Sequence, residues 1–315
     1  MTVAASVIIP NWNGRAYLPT CLGALARQTR QDFETILVDD ASTDDSVRYV
    51  AEAFPWVRII RLRRNGHFAR AVNLGICAAR SEVIVLLNND TEPEPGWLEA
   101  LLAALEAHPE AGMATSKLLL FDRRNVLHSA GDLLRLDGRP GNRGVWEEDR
   151  GQYDESRWVF GACGGAAAFR RAMLEEVGLF DEAFTAYCED VDLSFRAQLA
   201  GYRCRFVPEA RVYHRLSATG GGPRASYLCA KNIINVLVKN MPAELARRHW
   251  PKIVWAQARL ASEALRHARQ PAARAWLRGQ LAALGQLPTM LAKRRRIQAR
   301  RRVPIAAIEA LLEAG

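Results

Sequence analysis

The chain has 315 residues and a net charge of +9, from 43 Lys and Arg against 34 Asp and Glu. This length suits one large α/β domain with an appendage, or two domains. No uncharged apolar run of about 18 residues is present, so a membrane-spanning helix is not expected.

The cysteines and the N-terminus bear on the cellular compartment. The six cysteines are scattered and include no Cys-x-x-Cys pair. Structural zinc and a disulfide framework are therefore disfavoured, and a reducing cytoplasm fits the chain. Residues 1–10 lack the basic and long apolar segments of a secretory signal, and they are predicted to form a first strand.

The first third of the chain alternates strand and helix patterns. Apolar runs predict buried strands at 6–10, 33–38, 57–62 and 83–87, and helical patterns at 18–28, 43–54 and 68–79 separate them. Ser42 or Thr43 is the expected N-cap of the second helix. The alternation predicts a doubly wound, mostly parallel sheet. No glycine pattern of a P-loop or a dinucleotide-binding turn follows the first strand, so those two classes are disfavoured.

Polar residues follow three of these strands, at the sheet edge where ligands bind. They are Asn11, Asp39, Asp40, Asn88 and Asp90. A carboxylate at this edge can accept a base N–H, and another can hold a divalent cation that in turn holds a diphosphate. The edge therefore fits a mononucleotide, although the run 88–91 taken alone also fits an ordinary turn.

Three motifs resemble one known family. The segments 7–14 (VIIPNWNG), 37–44 (LVDDASTD) and 86–91 (LLNNDT) match in order and spacing the inverting family 2 glycosyltransferases, which have the GT-A fold. The rhamnosyltransferase-like branch is the most similar, and the resemblance covers about residues 5–240.

The resemblance implies roles for several residues. Asp39 would contact the nucleotide base, and residues 88–90 stand at the Asp-x-Asp position of the family. Asn88 replaces the first Asp, so Asp90 is the expected ligand of Mn²⁺ or Mg²⁺ and His214 would compensate for the missing charge. The other candidates for nucleotide-sugar binding are Pro10, Asn11, Asn13, Asn65, Asn73, Asn88 and Asn89, with Lys231 and Asn232 also near the site.

Two segments in the middle of the chain have open interpretations. Residues 121–153 follow a predicted helix at 97–108 and a predicted strand at 112–120. They are expected to form a hairpin or a mobile loop over the site, and the alternative is an ordered insertion with no role in the chemistry. Residues 158–169 are rich in small side chains, which allow close approach of a ligand or tight internal packing. By resemblance, Trp158, Gly164 and Gly165 would line the acceptor and sugar pocket.

A second acidic cluster precedes a helix predicted at 193–200. Taken alone, these carboxylates fit favourable charge at a helix N-terminus. By resemblance, Glu189 and Asp190 are the Glu-Asp pair of the family, with Asp190 as the general base and Asp192 as scaffold. An inverting transfer needs one carboxylate opposite the leaving group, and a metal-assisted diphosphate departs without a protonated acid.

The tail carries the excess charge. Residues 243–315 contain 15 Lys and Arg against four Glu and no Asp, whereas residues 1–242 carry a net charge of −2. We predict a catalytic domain at 1–242 and a basic, amphipathic helical extension at 243–315. Tryptophan with clustered arginine suits the anionic inner face of the cytoplasmic membrane. A helix pair for homo-oligomerisation or docking is the alternative, and nucleic acid is disfavoured because no such motif is present.

The sequence therefore predicts a metal-dependent, inverting glycosyltransferase. By resemblance, rhamnose from dTDP-rhamnose is the favoured donor sugar, and the acceptor is a hydroxyl of a cell-surface glycan or polyprenyl-linked glycan. An inactive nucleotide-sugar-binding scaffold of the same fold is one alternative. A nucleotidyltransferase is another, but it would need a basic triphosphate loop, and residues 10–17 offer only Arg15.

Overall fold

The computed structural model describes residues 3–216 and 221–313. The strands of these residues are β1 Ala5–Asn11, β2 Phe33–Asp39, β3 Arg58–Arg61, β4 Val83–Leu87, β5 Thr91–Pro93, β6 Ala111–Leu120, β7 Leu127–Ser129, β8 Asp132–Leu134, β9 Pro140–Asn142, β10 Trp158–Val159, β11 Ala166–Arg170 and β12 Arg203–His214. The helices are α1 Leu18–Ala26, α2 Ser46–Ala53, α3 His67–Ala78, α4 Trp97–Ala107, α5 Arg171–Val177, α6 Glu189–Leu199, α7 Gly222–Asn240, α8 Ala243–Arg266, α9 Pro271–Ala299 and α10 Ile305–Leu311.

The central sheet is mixed and mostly parallel, as predicted. Its strand order is β10-β12-β6-β11-β4-β1-β2-β3. Strands β1 to β4 run parallel to one another, β12 runs parallel to β6, and β11 lies antiparallel between β4 and β6. Strands β1, β2, β4, β6 and β12 consequently end at one edge of the sheet.

Both faces of the sheet are buried. Val85 and Leu87 pack on one side with α1 and α4, whereas Ile84 and Leu86 pack on the other side with α3, α5 and α6. Successive side chains of a strand point to opposite faces, so a continuous apolar run is what a strand covered on both sides requires.

The tail packs on the preceding residues. Helix α9 lies along α7 so closely that a Cβ at Gly279 would overlap the carbonyl oxygen of Tyr227. Leu245 of α8 and Ile308 of α10 share an apolar core with α6 and α7. Within the described ranges, none of the helices has the combination of length and apolar character needed to cross a membrane.

Two local expectations are corrected. Helix α6 begins at Glu189, four residues before the predicted start at 193. Helix α2 begins at Ser46 without a side-chain N-cap, because the hydroxyl of Ser42 accepts a hydrogen bond from the Asn13 backbone instead. Residues 203–214 form one long strand, β12, with an irregularity between Val207 and Arg211.

The excursion at 121–153 is an ordered insertion. It forms β7 and the β8–β9 hairpin. The ammonium of Lys117, only 1% exposed, lies 3.0 Å from Asp149 and 2.7 Å from Asp154 and so anchors the far end of the insertion to β6. The hairpin faces the sheet edge at which the five strands end, and several of its residues line the cleft described next.

Candidate active site

A cleft of about 920 Å³ opens at the edge where β1, β4, β6 and β12 end. Its walls come from the loops after β1 and β4, the β8–β9 hairpin, the first turn of α6 and the start of α7. Of the predicted site residues, the cleft is lined by Pro10, Asn11, Asn13, Asn65, Asn88, Asn89, Gly164, Gly165, Glu189, Asp190 and His214.

Side-chain amides hold the floor of the cleft. The side-chain Oδ1 of Asn11 accepts a hydrogen bond of 2.7 Å from the side chain of Asn89. The side-chain Nδ2 of Asn11 donates to the Asp39 carboxylate at 3.1 Å. The Asn13 side chain accepts from the Thr43 backbone N–H at 2.8 Å. Gly14 is required here, because a Cβ would overlap the Asn89 side chain. These asparagines therefore fix the loops after β1 and β4 against each other.

The two adjacent aspartates after β2 have different environments. The Asp39 side chain is fully buried, accepts from Asn11 and the Ser42 backbone N–H, and does not line the cleft. Asp40 does line the cleft, and it accepts hydrogen bonds from the backbone N–H groups of Gly66 at 2.6 Å and His67 at 2.8 Å. The carboxylate that faces the cleft is thus the neighbour of the predicted one.

Five other predicted residues lie outside the lining of the cleft, namely Asp90, described in the next paragraph, and the four described here. Asn73 ties α3 to the backbone of Phe180, with bonds of 2.8 and 3.1 Å. Trp158 lies on the edge strand β10, with the guanidinium of Arg203 stacked 3.7 Å from its ring centroid. Lys231 donates to a backbone carbonyl of the loop before α6, and Asn232 donates to three.

Asp90 and His214 come together as a pair. Strand β5 pairs with β12 so that His214 lies opposite Thr91. Asp90 directly precedes Thr91, so the imidazole ring of His214 lies beside Asp90. The His214 Nε2 lies 3.2 Å from the Asp90 Oδ1. This contact lacks hydrogen-bond geometry, and the buried Asp90 Oδ1 has no hydrogen-bond partner among the described residues.

An unpartnered buried carboxylate oxygen beside an imidazole nitrogen fits a divalent cation. Mg²⁺ and similar ions are bound in nucleotide sites through one or two protein ligands, with phosphate oxygens and water completing the shell. In the described ranges, no group of three or more His, Cys, Asp or Glu side chains has the geometry to hold a metal by itself. The pair therefore suits a cation that arrives with a phosphorylated ligand.

No motif in the sequence points to a role for His128. This residue lies on β7, and its Nδ1 is 3.0 Å from the Nδ1 of His214. Burial, with the nearby His214 adding to it, lowers the pKa of His128 to about 3. His128 is consequently a neutral imidazole at physiological pH.

The first turn of α6 presents two buried carboxylates to the cleft. Asp190 accepts hydrogen bonds from the backbone N–H groups of Gly164 at 3.0 Å and Val191 at 2.8 Å. Burial raises the pKa of Asp190 above the ordinary aspartate value, while these N–H groups oppose the rise. Burial raises the pKa of Glu189 well above its usual range, and the charge of Asp190 adds to that effect. Both carboxyl groups are therefore harder to ionise than exposed ones, and the effect is larger for Glu189.

A strained turn sets the start of this helix. Thr185, Tyr187 and Cys188 all have positive φ, of 73°, 66° and 62°. Non-glycine residues adopt such angles at a cost and only where the surroundings hold them. Asn232 supplies that support through its donations to the carbonyls of 184, 186 and 187.

Asp132 is a third carboxylate at this end of the cleft. It lies on β8, is 4% exposed and accepts a hydrogen bond of 3.0 Å from Asn142 on β9. Burial raises its pKa well above the aspartate value, and the charges of Asp190 and Glu189 contribute. Its sequence neighbours form no recognisable motif, so only the fold of the hairpin reveals it.

The family model described as "Glycosyl transferase family 2" matches residues 6–178, which is more than half of the chain. The chain belongs to this family. The matched range contains Asn11, Asp40 and Asp90 but ends before Glu189, so it does not bear on the Glu189–Asp190 pair.

Two curated relatives of this family 2 glycosyltransferase have names that refer to sugar transfer or to O-antigen biosynthesis. The N-acetylglucosaminyl-diphospho-decaprenol L-rhamnosyltransferase of Mycobacterium tuberculosis is 29% identical over 255 residues, covering 73% of this chain and 82% of that protein. The O-antigen biosynthesis protein RfbC of Myxococcus xanthus is 30% identical over 232 residues, which cover 69% of this chain and 18% of that protein.

Solved structures identify the fold as that of GT-A glycosyltransferases. GalNAc-T7 with UDP, GalNAc and Mn²⁺ matches with a TM-score of 0.62 and 18% identity, over 76% of this chain and 48% of that one. A Pyrobaculum calidifontis mannosyltransferase with GDP-Man and Mn²⁺ matches with a TM-score of 0.54 and 20% identity, over 98% and 79% of the chains. The likeness extends over most of the family 2 glycosyltransferase but spans only about half of GalNAc-T7.

Proposed function

We propose that this glycosyltransferase transfers a sugar from a nucleoside diphosphate to a hydroxyl group with inversion, using a divalent cation. Rhamnose from dTDP-rhamnose is the favoured donor, and a cell-surface or polyprenyl-linked glycan is the acceptor. The single observation that carries the proposal is the cleft that His214 and Asp190 both line, with the Asp90 Oδ1 3.2 Å from the His214 Nε2. The name of the mycobacterial relative supports the choice of sugar and acceptor.

The donor side of the cleft is the edge at β1, β4 and the N-terminus of α3. Asp40, rather than Asp39, faces the space a nucleotide base would occupy, and its carboxylate can accept a base N–H. Asp90 Oδ1 and His214 Nε2 would hold the cation, with Mn²⁺ or Mg²⁺ as candidates. The bound cation would neutralise the charge that develops on the departing diphosphate.

Asp190 is the general base of the proposal. Its carboxylate takes the proton of the acceptor hydroxyl while that oxygen forms a bond to the sugar C1 and the bond from C1 to the diphosphate breaks. The N–H groups of Gly164 and Val191 orient the Asp190 carboxylate and oppose the rise of its pKa that burial causes. Burial and the charge of Asp190 raise the pKa of Glu189, which favours its neutral form and reduces the negative charge that the base faces at close range.

Transfer assays with Asp190→Asn test the proposal. We expect the variant to lose transfer by about 10²–10⁴-fold, which is the usual contribution of a positioned base. Donor binding, measured by the thermal shift that a nucleoside diphosphate with Mn²⁺ produces, should be unchanged. Wild-type protein that binds the donor but transfers nothing to any glycan acceptor would favour the inactive scaffold. A product with the anomeric configuration of the donor, determined by NMR, would exclude inversion.

The tail supports a second part of the proposal, in which α8 and α9 bind the anionic inner face of the cytoplasmic membrane. Trp250, Val254 and Leu265 of α8 are 55–63% exposed and share one helix face. Leu281 and Leu284 of α9 are 67% and 56% exposed. Such apolar stripes, with arginines beside them, suit a lipid surface.

The two stripes face the same side. A four-residue turn joins α8 to α9, so the helices are antiparallel neighbours. They meet where Gln280 donates to Gln257 at 3.3 Å. At 3.6 residues per turn, the stripe of α8 lies about 20–80° from this seam and that of α9 about 40–100°, in the same rotational sense. In an antiparallel pair that relation carries both stripes to one surface.

Vesicle co-sedimentation tests the membrane proposal. We expect the full chain to bind vesicles containing phosphatidylglycerol and not vesicles of phosphatidylcholine alone. The combined variant Trp250→Ala, Val254→Ala, Leu281→Ala should lose this binding. Trp146→Ala is the matched control, because Trp146 is as exposed as Trp250, at 61%, but lies outside the tail. Unchanged vesicle binding by the combined variant, with a dimer converted to monomer, would instead identify an oligomer interface.

A further inference from the structure

Two histidine rings meet through the same nitrogen. His128 and His214 approach with 3.0 Å between their Nδ1 atoms, and their rings are tilted by 46° at a centroid separation of 4.9 Å. A hydrogen bond needs one donor and one acceptor, so only one of these two nitrogens carries a hydrogen. The direction of this bond decides which tautomer each neutral ring adopts.

The direction of the hydrogen bond between His128 and His214 determines whether the His214 Nε2 faces Asp90 with a lone pair or with a hydrogen. When the Nδ1–H of His214 donates to His128, its Nε2 presents a lone pair toward the Asp90 Oδ1, which is 3.2 Å away. That arrangement places two electron-rich atoms together and suits a cation held by both. When His128 donates instead, the His214 Nε2 carries the hydrogen and cannot bind a cation.

The strands fix both rings in place. Strands β7 and β12 pair with opposite edges of β6, and His128 lies in β7 between residues that pair with Leu118 and Leu119. His214 lies opposite Leu120 of the same strand. The contact between the rings is therefore built from three neighbouring strands and does not depend on a loose loop.

We propose that His128 is a positioning residue, which accepts the Nδ1–H of His214 and so fixes the Nε2 of His214 as a cation ligand. The inference rests on the proposed cation site at Asp90 and His214. Histidine ligands in metal sites usually donate their second ring N–H to such an acceptor, and losing that partner commonly weakens metal binding about 10–100-fold. Both rings remain neutral in the two tautomeric arrangements, so the change of direction adds and removes no net proton.

Two substitutions at position 128 separate the hydrogen bond from packing. His128→Phe keeps an aromatic ring without an acceptor, whereas His128→Gln offers a carbonyl oxygen as acceptor. His108→Phe is the control, because His108 packs against Trp158 with 5.4 Å between ring centroids and precedes the start of β6, whereas His214 lies opposite its last residue. The affinity for Mn²⁺ is measured by electron paramagnetic resonance with a nucleoside diphosphate present and no acceptor, so that turnover plays no part.

We expect Mn²⁺ binding to weaken about 10–100-fold in His128→Phe and to recover most of the loss in His128→Gln. His108→Phe should bind as the wild type does. With ¹⁵N-labelled histidine and diamagnetic Mg²⁺, the His214 ring should show its hydrogen on Nδ1. Wild-type affinity in His128→Phe, or a hydrogen on Nε2 with Mg²⁺ bound, would overturn the inference alone. Wild-type protein that binds no Mn²⁺ would overturn the proposed cation site as well.

Discussion

Replacing Lys239 with Met tests how the helix that carries the base is held. The Lys239 ammonium is 3% exposed and lies 2.7 Å from both Asp181 and Asp192, whose side chains are 13% and 0% exposed. Asp192 follows Asp190 by two residues in α6, so this contact joins that helix to α7. Removing one partner of a buried ion pair typically costs about 3–5 kcal/mol.

The surroundings place Lys239→Met near the lower end of that range. Asp192 keeps the Arg196 guanidinium at 2.9 Å, and Asp181 keeps the Lys293 ammonium at 2.7 Å. We therefore expect the free energy of unfolding to fall by about 3 kcal/mol, or roughly 6–12 °C in melting temperature. Lys293→Met is the control, because Lys293 is 35% exposed and its loss should cost about 1 kcal/mol or less.

The assay is urea denaturation at several pH values. Lys239 and its neighbours lower the pKa values of Asp181 and Asp192, although burial opposes the effect. A carboxyl whose folded-state pKa is lowered stabilises the fold above its unfolded-state pKa of about 4, and this contribution is lost as the pH falls. The difference between variant and wild type should therefore shrink below about pH 4. Equal losses in Lys239→Met and Lys293→Met at pH 7 would refute the reasoning.

Three further predictions concern the cleft and the tail. Asp40→Asn should weaken donor binding in a thermal-shift titration, whereas Asp39→Asn should mainly lower the melting temperature. The reason is that Asp40 lines the cleft and Asp39 does not. The opposite pattern would restore Asp39 as the contact to the nucleotide base. Glu189→Gln should increase the free energy of unfolding relative to the wild type, and by more as the pH rises. A carboxyl group with a raised pKa stabilises the fold at low pH and loses that contribution as the pH rises, whereas glutamine does not titrate. A difference between variant and wild type in urea denaturation that does not change with pH would contradict this. Gly279→Ala should destabilise the chain by about 1–3 kcal/mol through overlap with Tyr227, despite the better helix propensity of alanine; an unchanged midpoint in urea would show that α9 can shift away from α7.

The sheet was predictable because its strands carry their own signal. The run at 83–87 is apolar throughout, as a strand buried on both sides demands, and β4 has those same bounds. The carboxyl ends of parallel strands meet by topology, so Asn11 and the 88–90 turn could be brought together without coordinates. The division at residue 242 stays a prediction from charge, and α8 to α10 pack against the residues that precede it.

The errors and omissions follow from information that a linear pattern lacks. Asp39 and Asp40 are both carboxylates at a strand end, and only the backbone direction there decides which one faces the cleft. His128 and Asp132 reach the site because the insertion after β6 folds back over the sheet edge, and no local periodicity encodes that return. The early start of α6 depends on the positive φ of Cys188, which the carbonyl contacts of Asn232 stabilise from α7.

The tail connects to the base through the ion pairs around Asp181 and Asp192. Lys293 of α9 and Lys239 of α7 both contact Asp181, and Lys239 also contacts Asp192 in α6. A surface that binds α8 and α9 would thereby set the orientation of α6 and of the cleft beside it. An acceptor anchored in that same surface would then approach Asp190 from a fixed direction. This geometry predicts that the tail variant with three apolar side chains removed loses transfer to a vesicle-embedded polyprenyl-linked acceptor but keeps transfer to a soluble one. Equal losses with both acceptors would mean that the tail acts on the fold of α6 rather than on the encounter with the membrane.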